Sequence, residues 1–219
     1  MIESKTFANR RVRFLSKLGG NAAIIPAASL VTHHADCEYP FRQNSDFWYL
    51  TGFDEPNALA LFLPYRKRGQ QFILFVMPKE KEAEVWQGVR CGVERAVDFY
   101  GADISHPITE LKSRLPDYLF DAEGITFRIG KFPLIEPLII NIWVEKLNKA
   151  QRSGAKAISV VPPCPILHQL RLKKELEEIN SIRKAVRISA EAHELARKMI
   201  ASCRNERQVQ AIIEKYFLD

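Results

Sequence analysis

Apolar residues recur at helical spacing near both ends of the chain and in short unbroken runs between them. Phe7, Phe14, Leu15 and Leu18 share one side of a helix, and Gly19-Gly20 supplies its stop. Four runs follow: "AAIIP" at 22–26, "DFWYL" at 46–50, "ALALFL" at 58–63 and "QFILFVM" at 71–77. Their shortness, their flanking Pro and Gly and the lack of strict alternation predict strands covered on both faces. "PYRKRGQQ" reads as a hairpin-like connection between the last two. Further on, the pattern predicts a helix near 107–119, a strand at 125–130 ("ITFRIG"), a helix over 136–150 and a strand at 157–161 ("AISVV"). Helices interleaved with buried strands imply an α/β domain with a mixed sheet flanked by helices.

"PPCP" at 162–165 interrupts that pattern, since consecutive prolines continue neither strand nor helix. Beyond it Leu172, Leu176, Ile179, Ile182, Val186, Ala190 and His193 keep to one helical face, with charged residues opposite. The expected division is therefore an α/β domain at 1–165 and a helical piece at 166–219. Val209, Ile212, Ile213, Tyr216 and Phe217 form a last apolar stripe just before Asp219. Two helices make no independent core, so the expectation is that the natural chain continues, with fold-back or dimerisation as the alternatives.

Composition narrows the classes. Of 219 residues 47% are hydrophobic, enough for a packed core, and the net charge of +6 is spread evenly rather than gathered on one arm. That argues against a nucleic-acid partner, and "RKR" at 66–68 reads as a solvated turn. Cys37, Cys91, Cys164 and Cys203 lie far apart and form no C-x-x-C pair, which disfavours a zinc knuckle or a disulfide scaffold. Neither an apolar leader nor a run long enough to span a membrane is present. The expectation is a soluble protein of a reducing, cytoplasmic compartment.

Candidate chemistry is sparse. "THHADCE" at 32–38 holds ligand-type residues, but adjacent positions of an extended segment point to opposite sides and grip an ion poorly. His106 and His168 have no partner in view, and His193 falls on the inner face of its helix. No G-x-S-x-G, phosphate-loop or H-E-x-x-H motif occurs. Trp86, in the loop-like "AEVWQGVRCG", is either an anchor or a ligand contact. The polar run Arg42 to Asp46 before "FWY" is either the lip of a strand, with Arg42 and Asp46 paired, or a ligand contact.

"EYPFRQNSDFWYLTGFDEPNALALFLP", "EVWQGVRCG" and "LHQLRLKKELEEINSIRKAVRISAEAH" together resemble aminopeptidase P, the Xaa-Pro aminopeptidase of the creatinase/prolidase superfamily. The resemblance covers essentially the whole chain. It implies an N-terminal α/β domain followed by the first helices of a pita-bread catalytic domain. In that family the catalytic domain binds two metal ions, usually manganese, through two Asp, one His and two Glu and cleaves peptides whose second residue is proline. Those ligands lie downstream of the helices matched here, so the fragment is expected to hold no metal and to be inactive alone. The resemblance further implies a homo-oligomer whose N-terminal domain narrows access to the active site, with Asp36, Arg42 and Trp86 as substrate-access or subunit-contact candidates. The alternatives are a metal-free protein-binding module of the same superfamily and a free-standing dimerisation domain.

Overall fold

The computed structural model describes residues 4–154 and 158–219; Ala157, where the last expected strand starts, lies outside them. The described residues form two compact units, one ending at Arg171 and one spanning Leu172–Asp219.

The first unit is built on a six-stranded mixed sheet. Its strands are β1 (Asn21–Pro26), β4 (Leu59–Phe62), β5 (Phe72–Val76), β6 (Ile104–Pro107), β7 (Gly124–Thr126) and β8 (Ser159–Val161), in the order β6-β5-β4-β1-β7-β8. β1, β4 and β5 run antiparallel to their neighbours in that trio, while β6, β7 and β8 join in parallel. A two-stranded ribbon, β2 (Thr32–His34) with β3 (Cys37–Glu38), stands apart.

The strand alternation feeds two cores. Ala23, Ile25, Ala60, Phe62, Leu74 and Val76 pack on one face beneath α1 (Ser4–Leu15), α2 (Ser45–Thr51), α4 (Gly92–Asp98) and α7 (Cys164–Leu172). Ala22, Ile24, Leu59, Leu61, Ile73 and Phe75 pack on the other beneath α5 (Leu111–Tyr118) and α6 (Glu136–Ser153). A sheet covered on both sides explains why its central strands carry unbroken apolar runs.

"DFWYL" is not a strand. Asn44 caps α2, its Oδ1 accepting the Asp46 N–H at 3.0 Å, and Asp46 places an acid in the first turn. Gly52 ends the helix at φ 67°, with its N–H on the Trp48 carbonyl at 2.8 Å. A Cβ there would also lie 2.7 Å from the Phe7 ring, so two constraints require glycine. A four-residue apolar run such as Phe47–Leu50 is written alike by a buried strand and a short buried helix; the caps decide it.

"PPCP" likewise starts a helix rather than only ending one. Pro163 and Pro165 sit at the start of α7, where missing N–H groups cost nothing, and the Pro163 carbonyl accepts the Leu167 N–H at 3.0 Å. Leu167 is fully buried in the first unit's core. The expected 165/166 division therefore falls inside α7's first turn, and the compact unit runs on to Arg171.

In the second unit α8 (Leu176–Met199) opens with a capping box formed by Glu175 and Glu178. It packs against α9 (Glu206–Leu218), and its buried residues are Ala192 and Ala196. Tyr216 donates its hydroxyl to Glu191 at 2.6 Å, and Val209, Ile212 and Ile213 are half-buried. His193, expected on the inner face, is exposed, as are Ile182 and Val186 of the same expected stripe.

Candidate functional site

The polar run divides into one exposed residue and a structural joint. Arg42 is exposed, and its guanidinium has no hydrogen bond or ion pair among the described residues. Gln43 ties four backbone groups together: its Oε1 accepts the N–H groups of Ala28 and Asn44, both at 2.8 Å. Its Nε2 donates to the carbonyls of Phe53 at 3.2 Å and Glu55 at 2.8 Å. Asp46 is ion-paired with Arg171 of α7, so the expected Arg42–Asp46 pair is replaced by one that secures α7. Tyr49 reinforces the joint, donating its hydroxyl to the Leu170 carbonyl at 3.2 Å.

Two arginines that the sequence reading left unassigned complete this region. Arg10 and Arg11 share the α1 face of Phe7 and Phe14 and are buried. Arg10 donates to the Tyr49 carbonyl and Arg11 to those of Leu50 and Gly101, all within 3.4 Å. Both therefore put positive charge at the C-terminal end of α2, where unpaired carbonyls carry partial negative charge. Burial pulls the Arg11 pKa down to about 10, with Asp103 acting in the opposite sense.

Trp86 lies in a helix, not a loop. It sits in α3 (Lys81–Gln87), is 89% exposed, and is flanked by exposed Val85 and Val89. The segment around it is fastened at several points. Glu84 accepts the Arg90 N–H at 2.9 Å, and Arg90 donates to the Pro78 carbonyl at 3.1 Å while facing Glu80. Glu55 Oε1 accepts the Cys91 N–H at 2.6 Å. Desolvation raises the Glu55 pKa against the lowering effect of that bond, and the same burial with the Glu55 charge pushes the Cys91 thiol up to about 11. Cys91 is thus a packed thiol rather than a nucleophile. The result is an exposed indole on a stiff support.

Asp36 is exposed in the turn of the β2–β3 ribbon, beside Ala35 at φ 48°. His33 meets the edge of Tyr39 at 4.5 Å between centroids. Among the described residues no group of three or more His, Cys, Asp or Glu side chains is placed to hold a metal ion. His106 is engaged with the Tyr118 hydroxyl at 2.7 Å, and desolvation lowers its pKa. No hydrogen bond or ion pair among the described residues joins Asp36, Arg42 and Trp86 to one another.

Arg42 does border an apolar groove of about 590 Å³, beyond the ends of β1 and β7 and lined by residues of the segments 27–31 and 131–135. The groove has no counterpart in the sequence reading, because its walls come from five separate segments.

Fold and side-chain arrangement define an α/β domain with a doubly covered mixed sheet, a stiffly held surface tryptophan and no assembled reaction centre among its described residues. Residues 7–126 match the family described as "Aminopeptidase P, N-terminal domain". The Xaa-Pro aminopeptidase of Escherichia coli K12 is 35% identical over 194 residues, which are 88% of this chain and 44% of that protein. The structure of Pseudomonas aeruginosa aminopeptidase PepP superposes with a TM-score of 0.87 at 31% identity, over 99% of this chain and 49% of that one. A zinc-substituted E. coli aminopeptidase P in complex with product gives 0.88 at 32% identity, with the same shares. This chain belongs to the aminopeptidase P family and matches its N-terminal part. It spans about half the length of the relatives it matches.

Proposed function

We propose that this chain is the N-terminal half of a metal-dependent Xaa-Pro aminopeptidase, shaping access to the active site and subunit contacts rather than carrying out hydrolysis. The observation that carries this reading is the match of 99% of the chain to only 49% of a solved aminopeptidase P. The donor set for the metal ions, whether manganese or another, belongs on this reading to the remaining half. Peptides with proline second are the substrates of the whole protein. Asp36, Arg42 and Trp86 contribute to substrate access or to contact with another copy, and the exposure of all three supports that assignment. Four free cysteines fit a reducing, cytoplasmic location.

The experiment is direct. The purified 219-residue chain, supplied with manganese and an Xaa-Pro peptide, should release no N-terminal residue, whereas a longer protein joining it to the catalytic half should. Manganese-dependent turnover by the chain alone would overturn the proposal.

A further inference from the structure

We propose that the groove at the end of β1 and β7 is a binding site for the carboxyl-terminal end of an apolar peptide. Its volume of about 590 Å³ falls within the roughly 300–1,000 Å³ of small-molecule sites. Its position, outside the carboxyl ends of the parallel strands β1 and β7, is where open α/β sheets form crevices. The walls are apolar, supplied by Val31, Leu111, Phe132, Leu134 and Ile135 among others.

The charge of the lining selects the ligand. Among the described residues Arg42 and Lys131 are the two ionised side chains of its lining, both cationic, and no carboxylate-bearing residue lines it. The Arg42 guanidinium is unpaired among the described residues, and the Lys131 ammonium lies 5.5 Å from the Phe132 ring centre without a carboxylate partner there. An apolar ligand bearing one carboxylate satisfies such a site, and a planar guanidinium suits a carboxylate geometrically. The remaining polar groups distinguish a peptide from a fatty acid. The Ser29 hydroxyl and the Asn57 carboxamide both line the groove and have no hydrogen bond of their own among the described residues. Asn57 is held at φ 56° by its N–H on the Ala28 carbonyl at 3.0 Å. These groups can match the amides of a peptide, whereas an alkyl chain leaves them unmatched.

The test uses the intact 219-residue chain and reads binding, not turnover, so its failure leaves the peptidase proposal untouched. Amide resonances are followed during titration with acetyl-Ala-Ala-Phe-Leu as the free acid, with the same peptide as its C-terminal amide, and with octanoate. The acid should give saturable shifts centred on Ala28, Asn57 and Lys131, and the amide should bind about tenfold more weakly, the loss expected for one charge-assisted contact. Octanoate should bind more weakly than the acid. Arg42→Gln should erase the preference for acid over amide, and Leu134→Asp should weaken both peptides. Both side chains are exposed, so the variants should keep the wild-type circular dichroism. Absence of saturable shifts at the groove, equal binding of acid and amide, or octanoate binding as tightly as the peptide acid would each overturn the proposal.

Discussion

The guanidinium of Arg171 is ion-paired with the Asp46 carboxylate, across 125 residues of sequence. Arg171 also lies 5.9 Å from the centre of the Tyr49 ring, whose other close cation is Arg10 at 4.3 Å. The pair joins the first turn of α2 to the last turn of α7. Neither side chain is fully buried, so its worth is that of a good partly screened pair. Arg171→Ala and Asp46→Ala should each cost about 1 kcal/mol in urea denaturation, with a coupling energy of about 0.5–1 kcal/mol in the double-mutant cycle. A coupling indistinguishable from zero would show that the two residues contribute independently.

Gln43 is the more demanding position, because one carboxamide serves two donors and two acceptors. Gln43→Ala leaves all four unmatched at a half-buried site and should cost about 2 kcal/mol, lowering Tm by about 4–8 °C. Gln43→Glu keeps the acceptors for Ala28 and Asn44 but sets a carboxylate against the Phe53 and Glu55 carbonyls. Its destabilisation should be greater at pH 7 than at pH 4, where a protonated carboxyl regains one donor. Equal Tm losses at both pH values would contradict the network.

Glu55 gives a pH dependence of fixed sign. Its carboxyl is raised above its unfolded value chiefly by desolvation, so folding binds its proton more tightly. The stability it contributes is fully present below the unfolded pKa and is lost as pH rises through the folded one. Glu55→Gln, which can still accept the Cys91 N–H, should therefore flatten that part of the Tm-against-pH curve and raise Tm at pH 7 relative to wild type. An unchanged slope would remove Glu55 as its cause.

Trp86→Ala should leave Tm within the scatter of surface substitutions, about ±0.5 kcal/mol, because the indole is almost wholly exposed. On the function proposed above, the same change in a longer protein joining this chain to the catalytic half should alter peptide kinetics. Loss of stability with unaltered kinetics would make Trp86 a structural residue instead.

The legibility of this chain depended on where each residue's partners lie. β1, β4 and β5 are readable because burial on both faces writes continuous apolar runs. α2 writes the same kind of run, and only Asn44 before it and Gly52 after it separate the two cases. α3 and α4 have seven residues each, too few to establish a period. Arg42, Asp36 and Trp86 are exposed polar or aromatic residues of the type that sequence can flag. The structural roles of Gln43, within the flagged polar run, and of Glu55 were not legible because they bind backbone groups 10 to 36 residues away, which side-chain identity does not encode. Arg10 and Arg11 did leave a signal: they fall three and four residues after Phe7, on the face that the aromatic residues bury.

The sheet order has a consequence for how this domain can be divided. The family-model match ends at residue 126, the last residue of β7, yet β7 lies between β1 and β8. A chain cut there would expose β7 as a bare edge, ready to pair with other molecules. It would also strip Ile139 and Ile142 from one core and Leu167 from the other. The stretch that the family model matches and the stretch that closes this sheet and its two cores are therefore different lengths, and α6, β8 and α7 are the difference.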